Sequence, residues 1–242
     1  MNYFRLLFCF FTITLQGLTA YSQSASSLHV SMTGKGKQNI LLIPGFTCSG
    51  KVWDATVQQL SARYTCHVIT FAGFAGEPPV GDPQLKQWVA DIAAYIKDHH
   101  LGKPIVIGHS IGGGMAMMLA ASYPDLLAKI VVVDALPCLG AVQNPSFKAD
   151  VHADCSRFVS MYTSMSDSNL LAMQRRTIPA LCADTAMQPQ IVKWSLESDR
   201  KTMGQIYCEF LNTDLRDTIA HIQCPALILL EAPFKMYETT MQ

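Results

Sequence analysis

Short apolar runs alternate along the chain with longer stretches in which apolar residues recur every three or four positions. That alternation is the pattern of a parallel sheet wrapped in helices. His29 to Thr33 reads as a first strand and Gly34-Lys35-Gly36 as a turn. Asn39 to Ile43 is uniformly apolar after its first residue, as in a strand buried on both faces, and Pro44-Gly45-Phe46 ends it. Trp53, Val57 and Leu60 fall at helical spacing, which predicts a helix over about residues 50–62. His67 to Phe71 is the next strand, followed by a loop rich in Gly and Pro from Gly73 to Pro83. Asp82 stands where a cap would precede a helix carrying Leu85, Val89, Ile92, Ala93 and Ile96. Ile105 to Gly108 is a strand, Ile111 to Ser122 a helix, Lys129 to Val133 a strand ending in Asp134, and Ala226 to Leu230 another strand.

From about Ala135 to Ile222 no strong strand is evident. The span carries helical patterns such as Arg200 to Leu211 and breaks at Pro145, Pro179 and Pro189. It is too long for an ordinary loop. The pattern therefore predicts an α/β fold, a mostly parallel sheet flanked by helices, with a helical cap over about residues 136–222 above the carboxyl ends of the strands.

Composition narrows the picture. The 242 residues are half apolar, and Lys plus Arg balance Asp plus Glu, so the formal net charge is zero. A nucleic-acid partner calls for a basic face and an anionic membrane surface for net positive charge, and the balanced composition suggests neither. A globular body acting on a small, largely neutral molecule is expected. The N-terminus differs from the rest. One positive charge lies in Met1 to Arg5, Leu6 to Leu15 is almost wholly apolar, and small polar residues follow from Thr19 to Ser27. These are the three regions of a secretory signal peptide, taken as residues 1–22 with cleavage between Ala20 and Ser24. Ten apolar residues are too few for a permanent membrane span. The expected mature domain, 28–242, is thus exported, with no stable membrane span after cleavage. Of the eight cysteines, Cys9 lies in the leader and none forms a zinc-like spacing. Cys138, Cys155, Cys182 and Cys208 share the helical region, so a bridge among them is expected, with its connectivity open. Cys66 and Cys224 abut strands and read as core.

The chemistry centres on Gly108-His109-Ser110-Ile111-Gly112. Gly-x-Ser-x-Gly alone is a weak signal, but here the strand Pro104 to Ile107 runs into it and the helix opening Gly113-Gly114-Met115 runs out of it. A serine on so sharp a strand–turn–helix connection projects its hydroxyl clear of the sheet, and small residues on either side let strand and helix approach. Pro104 to Gly114 resembles the nucleophile elbow of the α/β-hydrolase superfamily, and Leu41 to Phe46 resembles that family's strand ending in a Pro-Gly turn. The likeness covers nearly all of residues 28–242, strand by strand. It implies that Ser110 is the nucleophile of a serine hydrolase and that the backbone N–H groups of Phe46 and Ile111 form the oxyanion hole. It also implies an acyl substrate of small size and no metal or organic cofactor.

The resemblance further implies an acid after the nucleophile in the chain and a histidine after the acid. Asp134, ending its strand, fits the acid; Glu231, ending the strand Leu227 to Leu230, is the runner-up. The family's histidine follows one further strand, and the chain ends at Gln242 before that strand. Of the histidines present (His29, His67, His99, His100, His109, His152 and His221), only His152, in the cap, is placed to approach Ser110 from above. The expectation is a hydrolase of a small ester, thioester or amide whose base is absent from its family place. A non-catalytic binding module on the same fold competes with it. A lyase or a cofactor-free haloperoxidase would also keep the serine; a dehalogenase would want a carboxylate there. The aromatic and Met residues of the cap read mostly as helix–helix core.

Overall fold

The computed structural model describes residues 26–150 and 152–231. The leader and the last eleven residues lie outside the described residues. Six strands form one sheet: β1 (Leu28–Thr33), β2 (Gln38–Ile43), β3 (Tyr64–Phe71), β4 (Ile105–His109), β5 (Lys129–Val133) and β6 (Ala226–Leu229). Their order across the sheet is β1-β3-β2-β4-β5-β6. Only β1 runs antiparallel, against β3; the other pairings are parallel. The mostly parallel sheet flanked by helices expected from the sequence is therefore present.

The period of two explains how the sheet is buried on both faces. Leu41, Ile43, Ile69, Phe71, Val106, Ile130 and Val132 point to one face. There they meet α2 (Leu85–Asp98), through Trp88 and Ile92, and α3 (Ile111–Ser122), through Met115 and Leu119. Ile40, Leu42, Cys66 and Val68 point to the other face, against Trp53 and the partly buried Val57 and Leu60. The predicted helix over 50–62 divides into a short 3₁₀ helix, Gly50–Trp53, and α1 (Asp54–Leu60).

The cap holds α4 (Gly140–Gln143), α5 (Ser156–Ser164), α6 (Asp167–Leu181), α7 (Gln188–Glu197) and α8 (Arg200–Leu211), with no strand among its described residues. Two expectations about its prolines need correction. Pro179 sits inside the last turn of α6 rather than before it, and Pro189 lies in the first turn of α7, where a missing N–H costs nothing. A disulfide joins Cys155, at the start of α5, to Cys208 on α8. The same two helices cross closely at Gly204, where a Cβ would stand 2.6 Å from the Val159 backbone. Arg200 and Asp167 pair at 2.6 Å between α8 and α6.

Asp82 does not cap α2. The helix begins at Leu85, after Gln84, and Asp82 pairs instead with Lys201 at 2.5 Å. The Leu85 N–H donates to Glu209 Oε2, on α8, at 2.6 Å. An acidic side chain from the cap therefore supplies what a local cap residue would have supplied, and it meets the positive end of the helix.

Candidate active site

The register of β4 places the centre of the site. Gly108 lies opposite Ile43 of β2, and His109 opposite Val133 of β5. Ser110 is the next residue, at the carboxyl edge of the sheet, and its N–H donates to the Val133 carbonyl at 2.9 Å. Its backbone has φ 54° and ψ −123°, outside the relaxed regions for an L residue. A non-glycine residue held there costs about 1–3 kcal/mol, and such strain persists only where surrounding structure fixes it. The glycines do the fixing. A Cβ on Gly108 would lie 2.1 Å from the Gly112 carbonyl oxygen, and one on Gly112 would lie 2.5 Å from the Ile43 carbonyl oxygen. These close approaches allow β4, β2 and α3 to converge on one serine.

The turn after β2 flanks it. A Cβ on Gly45 would be 3.6 Å from Ser110 Cβ and 2.9 Å from His109 Nδ1. His109 thus leans on the Gly45 side. Burial holds its ring below the usual histidine range, with the Asp134 charge acting the opposite way. Among the described residues, neither the Phe46 N–H nor the Ile111 N–H has an acceptor, whereas those of Gly113 and Gly114 are taken by the Ser110 carbonyl at 2.8 and 3.1 Å. The two N–H groups that the family resemblance names are therefore uncommitted among the described residues. Uncommitted donors at the start of a helix suit an oxygen that gains negative charge.

Asp134 follows Val133 and has φ 51°. Its N–H donates to the Leu229 carbonyl at 2.7 Å, and its Oδ1 accepts the Glu231 N–H at 3.4 Å. Both candidate acids thus stand at the same edge of the sheet, one strand and two strands from Ser110. Cys48, three residues beyond Gly45, is no rival nucleophile: burial, with Cys182 nearby, pushes its thiol up to about 12.

The other histidines have partners or surroundings of their own. His152 is exposed before α5; its backbone N–H donates to Asp150 Oδ1 at 2.9 Å, and its side chain makes no hydrogen bond among the described residues. His67 is buried mid-strand between Tyr95 and Asn39, at 2.9 and 3.1 Å. His29 pairs with Glu77 at 3.1 Å. His99 and His100 end α2, and His221 lies in a 3₁₀ turn before β6. The structure brings Ser110, Phe46, Ile111 and Asp134 to one edge of the sheet, and no hydrogen bond among the described residues joins the exposed His152 to them.

Sequence reasoning missed Thr47 and Ser195. Thr47 is buried with φ 57°, and its Oγ1 lies 2.7 Å from Ser195 Oγ on α7. A non-glycine residue directly after Pro-Gly-Phe was the available signal at Thr47; nothing local marks Ser195.

The sequence pattern describing the Alpha/beta hydrolase family matches residues 40–238. Pimeloyl-[acyl-carrier protein] methyl ester esterase of Citrobacter koseri is 27% identical over 142 residues, which are 58% of this chain and 54% of that one. The chain thus matches about half the length of that curated relative. A hydrolase from Pseudomonas aeruginosa superimposes with a TM-score of 0.70 at 18% identity, covering 85% of this chain and 76% of the other. A thermophilic esterase from Thermogutta terrifontis gives 0.68 at 20% identity, covering 84% and 74%. The structures establish the fold, and the family pattern spans the elbow, the Pro-Gly turn and the cap: the chain belongs to the alpha/beta hydrolase family.

Proposed function

We propose that this protein is an exported serine hydrolase that cleaves a small ester, thioester or amide through an acyl-enzyme on Ser110. The observation that carries the reading is the strained Ser110 beside two N–H groups that have no acceptor among the described residues. Ser110 Oγ attacks the acyl carbon and loses its proton. The electron pair of the carbonyl moves onto its oxygen, which the N–H groups of Phe46 and Ile111 hold. The pair returns, the bond to the leaving group breaks, and that group departs with a proton as alcohol, thiol or amine. Water then attacks the acyl-serine, releasing the carboxylic acid and restoring the hydroxyl. The serine proton passes to a general base that the described residues do not identify, and Asp134, with Glu231 as runner-up, is the acid that would orient that base and stabilise the positive charge it gains. Likeness to the methyl ester esterase of Citrobacter koseri favours the ester among these substrates.

Export is supported by the apolar run Leu6 to Leu15 and by the bridge Cys155–Cys208, since such bonds persist in oxidising compartments. Secretion of the full chain in a host with an oxidising export route, followed by N-terminal sequencing, tests it: cleavage between Ala20 and Ser24 is expected, and an intact Met1 in the cytoplasm contradicts export.

Kinetics with a chromogenic short-chain ester test the chemistry. A burst of one leaving group per protein, absent from Ser110→Ala, is expected. No turnover and no burst in a folded chain favours the binding-module reading, which rests on the absence of a histidine hydrogen-bonded to the Ser110 hydroxyl among the described residues.

A further inference from the structure

We infer that Ser195, on the cap helix α7, is a positioning residue that holds the oxyanion turn in its working shape through Thr47. The inference rests on the reading of the Phe46 N–H as an oxyanion donor.

Gly45 to Cys48 is a turn closed by the Cys48 N–H on the Gly45 carbonyl at 3.1 Å. Thr47 occupies its third position with φ 57°, a left-handed place that usually takes glycine. A threonine stays there only if something opposes relaxation. Thr47 Oγ1 donates to the Phe46 carbonyl at 2.7 Å and lies 2.7 Å from Ser195 Oγ. A hydroxyl has one proton, and that of Thr47 is committed to Phe46, so Ser195 is the donor between the two. The chain of bonds runs Ser195 to Thr47 to the Phe46 carbonyl. Thr47 is 3% and Ser195 1% exposed, so water cannot replace either partner.

The same helix end repeats the device. Ser198 donates to the Trp194 carbonyl at 2.8 Å and accepts the Ala75 N–H at 2.9 Å. Ala75 is again a non-glycine residue with positive φ, at 51°. The Asp199 N–H reaches the Gly73 carbonyl at 2.8 Å. The two loops clasped in this way also touch one another, Phe46 edge-on to Phe74 with ring centres 5.3 Å apart. The held carbonyl belongs to the peptide that joins Phe46 to Thr47, so the hold restrains the backbone of Phe46, the residue that carries the proposed oxyanion N–H. A cap helix therefore tunes the acid–base-free part of the catalysis, the stabilisation of charge on oxygen.

The test uses the full chain as unmutated protein, Ser195→Ala, Thr47→Val and the double variant. Thr47→Val breaks the same chain of bonds from its other end and keeps the side-chain volume. Three quantities are read: the rate of Ser110 labelling by a fluorophosphonate, kcat and KM on a chromogenic ester, and amide hydrogen exchange across residues 46–48. Each single variant should slow labelling and lower kcat about tenfold, with KM within about twofold. The double variant should be no slower than either single one, because both remove one relay. Exchange at 46–48 should quicken in all three while α2 and α3 stay protected. Labelling and exchange at the unmutated rate in Ser195→Ala overturn the inference, as do strictly multiplicative losses in the double variant. If the unmutated chain is not labelled, the hydrolase reading fails, and exchange alone decides the clasp: quicker exchange at 46–48 upholds it, and unchanged exchange rejects it.

Discussion

The sheet body and the cap hold together by different means. In the body, Leu41, Leu42, Ile43, Ile69 and Val106 are essentially without exposure, and apolar contact on both faces of the sheet does the work. In the cap, the apolar contacts are joined by individual links: the bridge Cys155–Cys208, the pair Arg200–Asp167, and the hydroxyls of Ser195 and Ser198. The serine at the elbow belongs to the first region and the turn beside it is clasped by the second. A small error in the body removes the site, whereas a broken link in the cap loosens it.

The largest effect should come from the body. Gly108→Ala puts a Cβ 2.1 Å from a backbone oxygen, which no rotamer change relieves, and should destabilise the protein on the order of 5 kcal/mol or prevent folding. Urea denaturation measures it; a loss under about 1 kcal/mol would mean that the elbow is looser than described. Removing the bridge by Cys155→Ser with Cys208→Ser should cost about 3 kcal/mol by freeing the chain between residues 53 positions apart. Amide exchange should show the loss at α5 and α8 before it reaches the sheet. If both regions unfold in one step, the division drawn above is wrong.

Glu209→Gln bears on the seam between the two. Losing the charged acceptor for the Leu85 N–H should cost about 1 kcal/mol, seen as faster exchange in the first turn of α2. An unchanged first turn would place the cap of α2 elsewhere.

The smallest effect is one of pH, and it belongs to the body. Burial, then the His99 charge, holds His67 below the usual histidine range, and burial does the same to His109 against the pull of Asp134. A histidine with a lowered folded pKa binds fewer protons folded than unfolded. Its stability contribution is full above the unfolded value of about 6.5 and declines as pH falls below it. Melting temperature should therefore drop from pH 7.5 to 5.5, by less than about 1 kcal/mol in equivalent stability, and the drop should shrink in His67→Gln. A melting temperature that rises on acidification would contradict the sign.

The same division decided what the sequence could tell. The strands of the body were legible because burial on both faces leaves uninterrupted apolar runs, and the elbow because its glycines must be local in sequence. Ser110 stands out from the elbow pattern, whereas Phe46, Ile111 and Asp134 enter as candidates only through the resemblance to the α/β-hydrolase superfamily. The cap links have no period: Thr47 and Ser195 are 148 residues apart, and Glu209 caps a helix 124 residues before it. Asp82 carried the local mark of a cap, yet Lys201 on α8 engages it and the helix starts three residues later. Pro179 carried the mark of a helix break, yet it lies within the final turn of α6.

Mass spectrometry after exposure of the full chain to a fluorophosphonate reads out whether Ser110 is an activated nucleophile held by this frame. One adduct is expected, on the peptide containing Ser110, and none in Ser110→Ala. A folded chain without the adduct, or one labelled equally in Ser110→Ala, would contradict it.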